Sequence, residues 1–212
     1  MGKSIITQEQ MMEILDRCYT AATNGLPGTP TCQDLASEYL EKYKIPELAA
    51  QKLISAQIAK ATTSGFLTSL GGLITLPVAL PANIASVLYV QMRMIASIAI
   101  LGGYNPHDDE VQTLVYVCLA GISIGDICKQ VGIAFGNKLT MSLIKKIPGT
   151  VLTKINQKVG FRFVTKFGTK GIVNLGKAVP FVGGIVGGGI DFAGTKAIAT
   201  KSYNTFILDI IE

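Results

Sequence analysis

The chain has 212 residues, of which 49% are hydrophobic and only 16% charged, and its mean hydropathy is +0.42. That excludes a disordered protein, and it falls short of the roughly 25% charge of an average soluble domain. Part of the surface is therefore expected to be apolar and to meet lipid or another protein. The net charge of +5 hides a segregation: residues 1–126 hold 7 basic and 11 acidic side chains, and residues 127–212 hold 12 basic and 3 acidic. Between Asp126 and Asp191 there is no acid, while ten Lys or Arg fall in that gap. The first half is expected to stay soluble and the second to seek an anionic surface.

The opening MGKSIITQ has no apolar core and does not read as a secretion signal. Thr7 and Gln10 form a capping box for a helix over QEQMMEILDRCYTAAT, with apolar spacing at Met12, Leu15, Cys18 and Tyr19. NGLPGTP ends it, Thr31 caps CQDLASEYLEKY, and Pro46 opens a helix that continues toward the Gly71-Gly72 pair. The four cysteines, Cys18, Cys32, Cys118 and Cys128, form no C-x-x-C pair, and His107 is the one histidine. They read as reduced, buried thiols, and no metal site or cofactor is implied.

From Ala61 to Met92 the chain runs 32 residues without a charge. Pro77 and Pro81 divide that run, and the helix beyond them, over 82–101, carries Arg93 near its middle. An arginine at a bilayer centre costs roughly 2.5–3.5 kcal/mol. Asn83, Ser86, Arg93 and Ser97 share one helical face opposite Ile84, Val87, Leu88, Met92, Ile95 and Ala99. This predicts a proline-broken helical hairpin. Its thin polar stripe seeks partners inside a bundle, Asp126 or Asp191 for Arg93, and its broad apolar surface seeks a core or lipid.

In GGYNPHDDE, Asn105 is expected to cap a helix with Pro106 in its first turn and the following acids on its dipole. VQTLVYVCLAGISIGDI then reads as one nearly uncharged helix. In the basic half Lys154, Lys158, Arg162, Lys166 and Lys170 recur every fourth residue among phenylalanines, with Gly160 and Gly168 as possible interruptions. Three readings of that stripe stand side by side: a solvated helix face, a surface for anionic lipid headgroups, and nucleic-acid binding, the last the weakest. Finally, Gly183, Gly184, Gly187 and Gly188 place small residues for close helix packing in VPFVGGIVGGGIDFAGTKAIA.

Several runs, among them GFLTSLGGLITLPVALPANIASVLYVQMRMIASIAILGGY and KIPGTVLTKINQKVGFRFVTKFGTKGIVNLGKAVPFVGGIVGG, closely resemble the EcsC protein family of bacteria. LPANIASVLYVQMRMIASIAILGGY is also similar to the helical domain that follows some Era-like GTPase domains. The EcsC resemblance implies an accessory role near membranes, an ABC transporter or secretion, and supplies no reaction. It points to Gln91, Arg93, Gly102, Lys154, Lys166 and Asp191 among its recurrent positions.

The expected fold is all-α, a compact bundle of about seven to nine helices around the hydrophobic hairpin. Residues 1–45 are expected to be a helical extension and 46–212 the EcsC-like domain. The expected function is a non-catalytic, membrane-associated accessory protein, peripheral to or partly embedded by its hairpin in the cytoplasmic face and docking through the basic stripe, with anionic lipid and a transporter complex as partners. The alternatives are a soluble protein-interaction module and, more remotely, a lipid-acting enzyme using Arg93, Asp126, Lys154 and Asp191, which lack a nucleophile–base pair. The sequence is silent on oligomeric state.

Overall fold

The computed structural model describes residues 6–61, 82–133, 138, 140–167 and 185–210, with side chains at 61, 82–85, 166–167 and 185–193 outside the description. Nine helices lie among the described residues: α1 Gln8–Asn24, α2 Cys32–Tyr43, α3 Pro46–Ala61, α4 Ala82–Leu101, α5 Asp109–Leu119, α6 Ile124–Gln130, α7 Met141–Ile144, α8 Gly149–Phe167 and α9 Ile185–Phe206. Their β pairing is a single antiparallel bridge between Lys138 and Ile210. The fold is an all-α bundle.

Local chemistry sets the helix starts. Thr7 accepts from the Gln10 N–H while the Gln10 side chain accepts from the Thr7 N–H, and Thr31 makes the same reciprocal pair with Asp34. Each box satisfies two amides that an α-helix leaves unpaired. The cap expected at Asn105 falls instead at Asp108. Asn105 folds a turn, its Oδ1 accepting from the His107 N–H and its Nδ2 donating to Asp108 Oδ1. The run expected to form one helix over 111–127 is two: Gly121 takes a positive φ of 66°, Ser123 caps a new helix, and α5 and α6 meet at 113°. A left-handed glycine ends helices readily because it has no Cβ to strain.

The centre of the bundle is α4. It packs against α1, α2, α3, α5 and α9, and its described side chains from Ser86 to Leu101 are all buried or half-buried. A helix apolar on every side must be covered on every side. This is the second arm of the expected hairpin, and protein encloses it. The first arm, with Gly71, Gly72, Pro77 and Pro81, lies outside the described residues. Among the described residues no single helix is long and apolar enough to cross a membrane.

Packing continues across residue 45. Met11, Ile14, Leu15 and Cys18 of α1 and Leu35 and Ala36 of α2 belong to the same buried cluster as Leu53 and Met92. All four cysteines are free and buried.

The last helix closes the bundle against the first-buried one. Gln91 Nε2 donates to Thr195 Oγ1 at 3.0 Å, and the backbone of Gly102 lies against the Phe206 carbonyl. Both pairs have the same sequence offset, so α4 and α9 run parallel. Tyr104 stacks edge-on against Phe206 and donates to Asp209 Oδ1 at 2.7 Å, pinning the chain beyond α9. A Cβ at residue 102 would collide with the Phe206 carbonyl, a backbone atom that cannot swing aside. Gly102→Ala is therefore expected to cost about 1–3 kcal/mol, read as a fall in Tm of ~2–4 °C for each kcal/mol at this chain length. An unchanged Tm would mean that the two helix ends are not in close contact.

Candidate functional site

Two places gather the side chains singled out in the sequence: a polar seam inside the bundle and a groove on its surface.

The seam is the polar stripe of α4. Arg93 is 2% exposed. Its Nη1 donates to the Pro30 carbonyl and its Nη2 to Gln57 Oε1, each at 3.4 Å, and its guanidinium lies 5.5 Å from the Tyr89 ring centroid. Tyr89 in turn shares a hydrogen bond of 2.9 Å with Thr29. Ser97 donates to the Cys32 carbonyl at 3.0 Å, and Ser86 is buried as well. Arg93 and Ser97 thus fasten the loop before α2 onto the central helix, and Arg93 adds a link to α3. Asn83 lies on the same helix, its side chain outside the description.

The counter-charge expected for Arg93 is corrected in part. Asp126 is exposed at the start of α6, where its own N–H bonds to Ser123 Oγ. The side chain of Asp191 lies outside the described residues. Among the described residues Arg93 is met by carbonyl oxygens and a ring, while Arg93 Nε and Gln57 Nε2 have no hydrogen-bond partner.

The groove lies between α1, α6 and α8 and has a volume of about 1150 Å³. Met12, Ile122, Ile127 and Val131 supply its apolar lining, and Phe161, 62% exposed, stands on the α8 side. α8 contributes Lys154, Lys158 and Arg162, three members of the basic stripe. α1 contributes Glu9, Glu13 and Asp16, at helical spacings that put them on one face. The two walls therefore carry opposite charge. Lys166 lies on α8 with its side chain outside the description, and Lys170 lies outside the described residues.

Several of these charges are already committed. Arg162 Nε donates to the Ala120 carbonyl at 2.9 Å, placing a cation at the carboxy-terminal end of α5 where the helix dipole favours it. Lys158 Nζ donates to Gln130 Oε1 at 3.1 Å, at the end of α6. Arg162 holds the corner beside Gly121, and Lys158 holds the far end of α6. Opposite them, Asp16 Oδ1 accepts from the Tyr116 hydroxyl at 2.7 Å and from Gln112 Nε2 at 3.1 Å. Burial, followed by the carboxylate of Asp16, keeps the Tyr116 phenol protonated well above its ordinary range. Glu13 pairs with Arg17 at 3.1 Å. The carboxyl of Glu9 is held below its usual pKa by its own backbone N–H and the Thr7 hydroxyl.

Gly160, expected to interrupt the stripe helix, is instead a contact. α8 runs unbroken through it, and a Cβ there would press at 3.1 Å on Gln8 and Met12 of α1. Gln8 Nε2 also donates to the Gln157 carbonyl at 2.7 Å. Gly187 and Gly188 lie within α9, while Gly183 and Gly184 lie outside the described residues. Gly194 has open space beside it. The close approach that is visible uses Gly102 and Gly160. The four residues proposed for lipid chemistry are not gathered: Arg93 is in the seam, Lys154 in the groove and Asp126 at the surface, with Asp191 as described above. Among the described residues no group of three or more His, Cys, Asp or Glu could hold a metal ion.

The model of the EcsC protein family matches residues 3–208, nearly the whole chain. The chain belongs to the EcsC protein family. No curated protein and no solved structure matches it. In this EcsC protein, three positions that the sequence resemblance singled out are structural: Gln91 and Gly102 join α4 to α9, and Arg93 joins it to α3 and the loop before α2.

Two measurements test the seam. Arg93→Ala leaves a cavity and strands the buried Gln57 Oε1, and is expected to cost about 2–5 kcal/mol in denaturant unfolding. Arg93→Met refills the volume without donors and is expected to cost about 1–3 kcal/mol. A Met variant as stable as the parent would mean the arginine's hydrogen bonds contribute no net stability. Burial also pushes the thiols up from 9.0, Cys18 to about 12 and Cys32, Cys118 and Cys128 to about 11. Because the folded values lie above the unfolded one, their stabilisation is complete below pH 9 and fades as pH rises toward 11. In reducing buffer Tm is expected to hold from pH 7 to 8.5 and then drop; a flat profile to about pH 11 contradicts the buried thiols.

Proposed function

We propose that this EcsC protein is a non-catalytic docking protein whose working surface is the groove between α1, α6 and α8. The carrying observation is Phe161. A phenylalanine 62% exposed, on the basic wall beside an apolar lining, costs stability in water and is the kind of anchor that partners cover. The partner we propose is a component of a membrane complex, a transporter among the candidates, in keeping with the expectation for the family.

A second reading, docking on anionic lipid, rests on a different surface. Lys138, Lys145 and Lys146 are exposed in a stretch of chain without an acid. They would hold a peripheral protein on anionic headgroups by charge alone. The two readings are compatible: lipid attraction would bring the groove to a partner at the same membrane face.

One experiment separates them. A photo-crosslinking amino acid replaces Phe161 in the full chain, or, as a control outside the groove, Leu40, which is 38% exposed. In living cells position 161 is expected to give one discrete protein adduct and position 40 none. Adducts to lipid alone at position 161, or equal smears at both, would remove the groove reading. In parallel, flotation with phosphatidylglycerol vesicles at about 0.05 M and about 0.5 M salt tests the second reading. Binding at low salt that is lost with Lys145→Glu plus Lys146→Glu supports it; no binding at low salt removes it.

A further inference from the structure

We infer that the groove recognises an amphipathic α-helix with an apolar stripe, one basic edge and one acidic edge, and that its opposed charges set the direction in which the helix lies. This rests on the groove being the docking surface.

The dimensions fit a helix. The α8 wall from Lys154 to Thr165 rises about 17 Å, three turns of an α-helix. The apolar lining accounts for one side of such a segment, as in helix-in-groove recognition, where anchors recur every third or fourth residue. The charges account for the edges. Glu9 and Glu13 are exposed on one wall, Glu13 within a solvent-exposed pair with Arg17, and Lys154 and Lys158 on the other, Lys158 keeping its charge while bonded to the neutral Gln130. A helix with two basic edges would meet Lys154 and Lys158; one with two acidic edges would meet Glu9 and Glu13. Juxtaposed like charges are a strong discriminator. Reversing a helix end for end exchanges its edges, so a mixed-edge helix satisfies both walls in one direction only. An anionic membrane is disfavoured at this surface for the same reason: α1 presents carboxylates to it.

The test uses the full chain and three labelled peptides of about 18 residues, long enough to hold a helix. All share one leucine stripe. They differ in their edges: lysine on one and glutamate on the other, lysine on both, or glutamate on both. Peptide binding is read by fluorescence anisotropy without lipid, and lipid binding of the full chain by flotation with phosphatidylglycerol vesicles without peptide. The mixed peptide is expected to bind at least about tenfold tighter than either uniform one. Glu9→Lys with Glu13→Lys makes both walls basic and is expected to move the preference to the all-glutamate peptide. Should that variant not fold, Lys154→Glu with Lys158→Glu is expected to move it to the all-lysine peptide. Phe161→Ala is expected to weaken all binding at least tenfold. Equal binding of the three peptides, still dependent on Phe161, would overturn the charge register and leave the groove as a docking surface. Absence of binding by any peptide would overturn both. Flotation of the parent chain that is lost with Phe161→Ala would overturn the helix in favour of lipid.

Discussion

A helix of twenty residues with one charge among them cannot face water, and the rest of this molecule is arranged around that constraint. Five helices cover α4, and each meets it with apolar side chains. The cover leaves no aqueous exit for Arg93, so its polar atoms must be answered from within. The answer comes from neutral groups, a carbonyl, an amide oxygen and the face of Tyr89. That cross-link is specific where apolar contacts are not: it ties the loop before α2 and the middle of α3 to one level of the central helix. An arginine that looks like a membrane anomaly in the sequence serves as a register pin in the bundle.

The groove follows from the same arrangement. α1 and α8 touch through Gly160, and the turn at Gly121 swings α6 away from the line of α5. The space left between them is lined by side chains that, among the described residues, have no fourth helix to pack on. The basic residues beside it serve two ends at once. Arg162 and Lys158 finish the carboxy-terminal ends of α5 and α6, and with Lys154 they give the wall its charge. A surface built from structural cations is stiff. Stiffness favours recognition by charge pattern, because the wall does not rearrange to suit whatever arrives.

Much of this was legible in the chain, and what was hidden has a common cause. The capping boxes at Thr7 and Thr31 were readable because partners three residues apart find each other in any context. The polar stripe of α4 was readable from spacing, but composition left open whether a protein core or lipid would cover the apolar face around it. The glycines were not readable. Gly121 makes a corner, Gly160 a contact and Gly102 a backbone seat, and these roles differ only in what lies opposite, which spacing does not encode. Likewise the basic stripe was plain, but its facing acids lie some 150 residues earlier, in a helix that read as ordinary. The matching four-residue steps of Glu9–Glu13 and Lys154–Lys158–Arg162 were the available clue. They reveal a pairing only once α1 and α8 are known to touch.

The parallel seating of α9 on α4 also has a bearing on how the protein is made. Gln91 and Thr195 are 104 residues apart, and Gly102 and Phe206 are separated by the same interval. On the ribosome α4 therefore emerges well before the helix that completes its cover. At synthesis rates of about 5–20 residues per second, it waits some seconds with one flank bare. Contacts so distant along the chain are slow to close, and an exposed apolar helix is an invitation to chaperones and to aggregation. The molecule's vulnerable interval thus runs until α9 has been made, and truncation before Phe206 would be expected to yield a chain that is made but does not remain in solution.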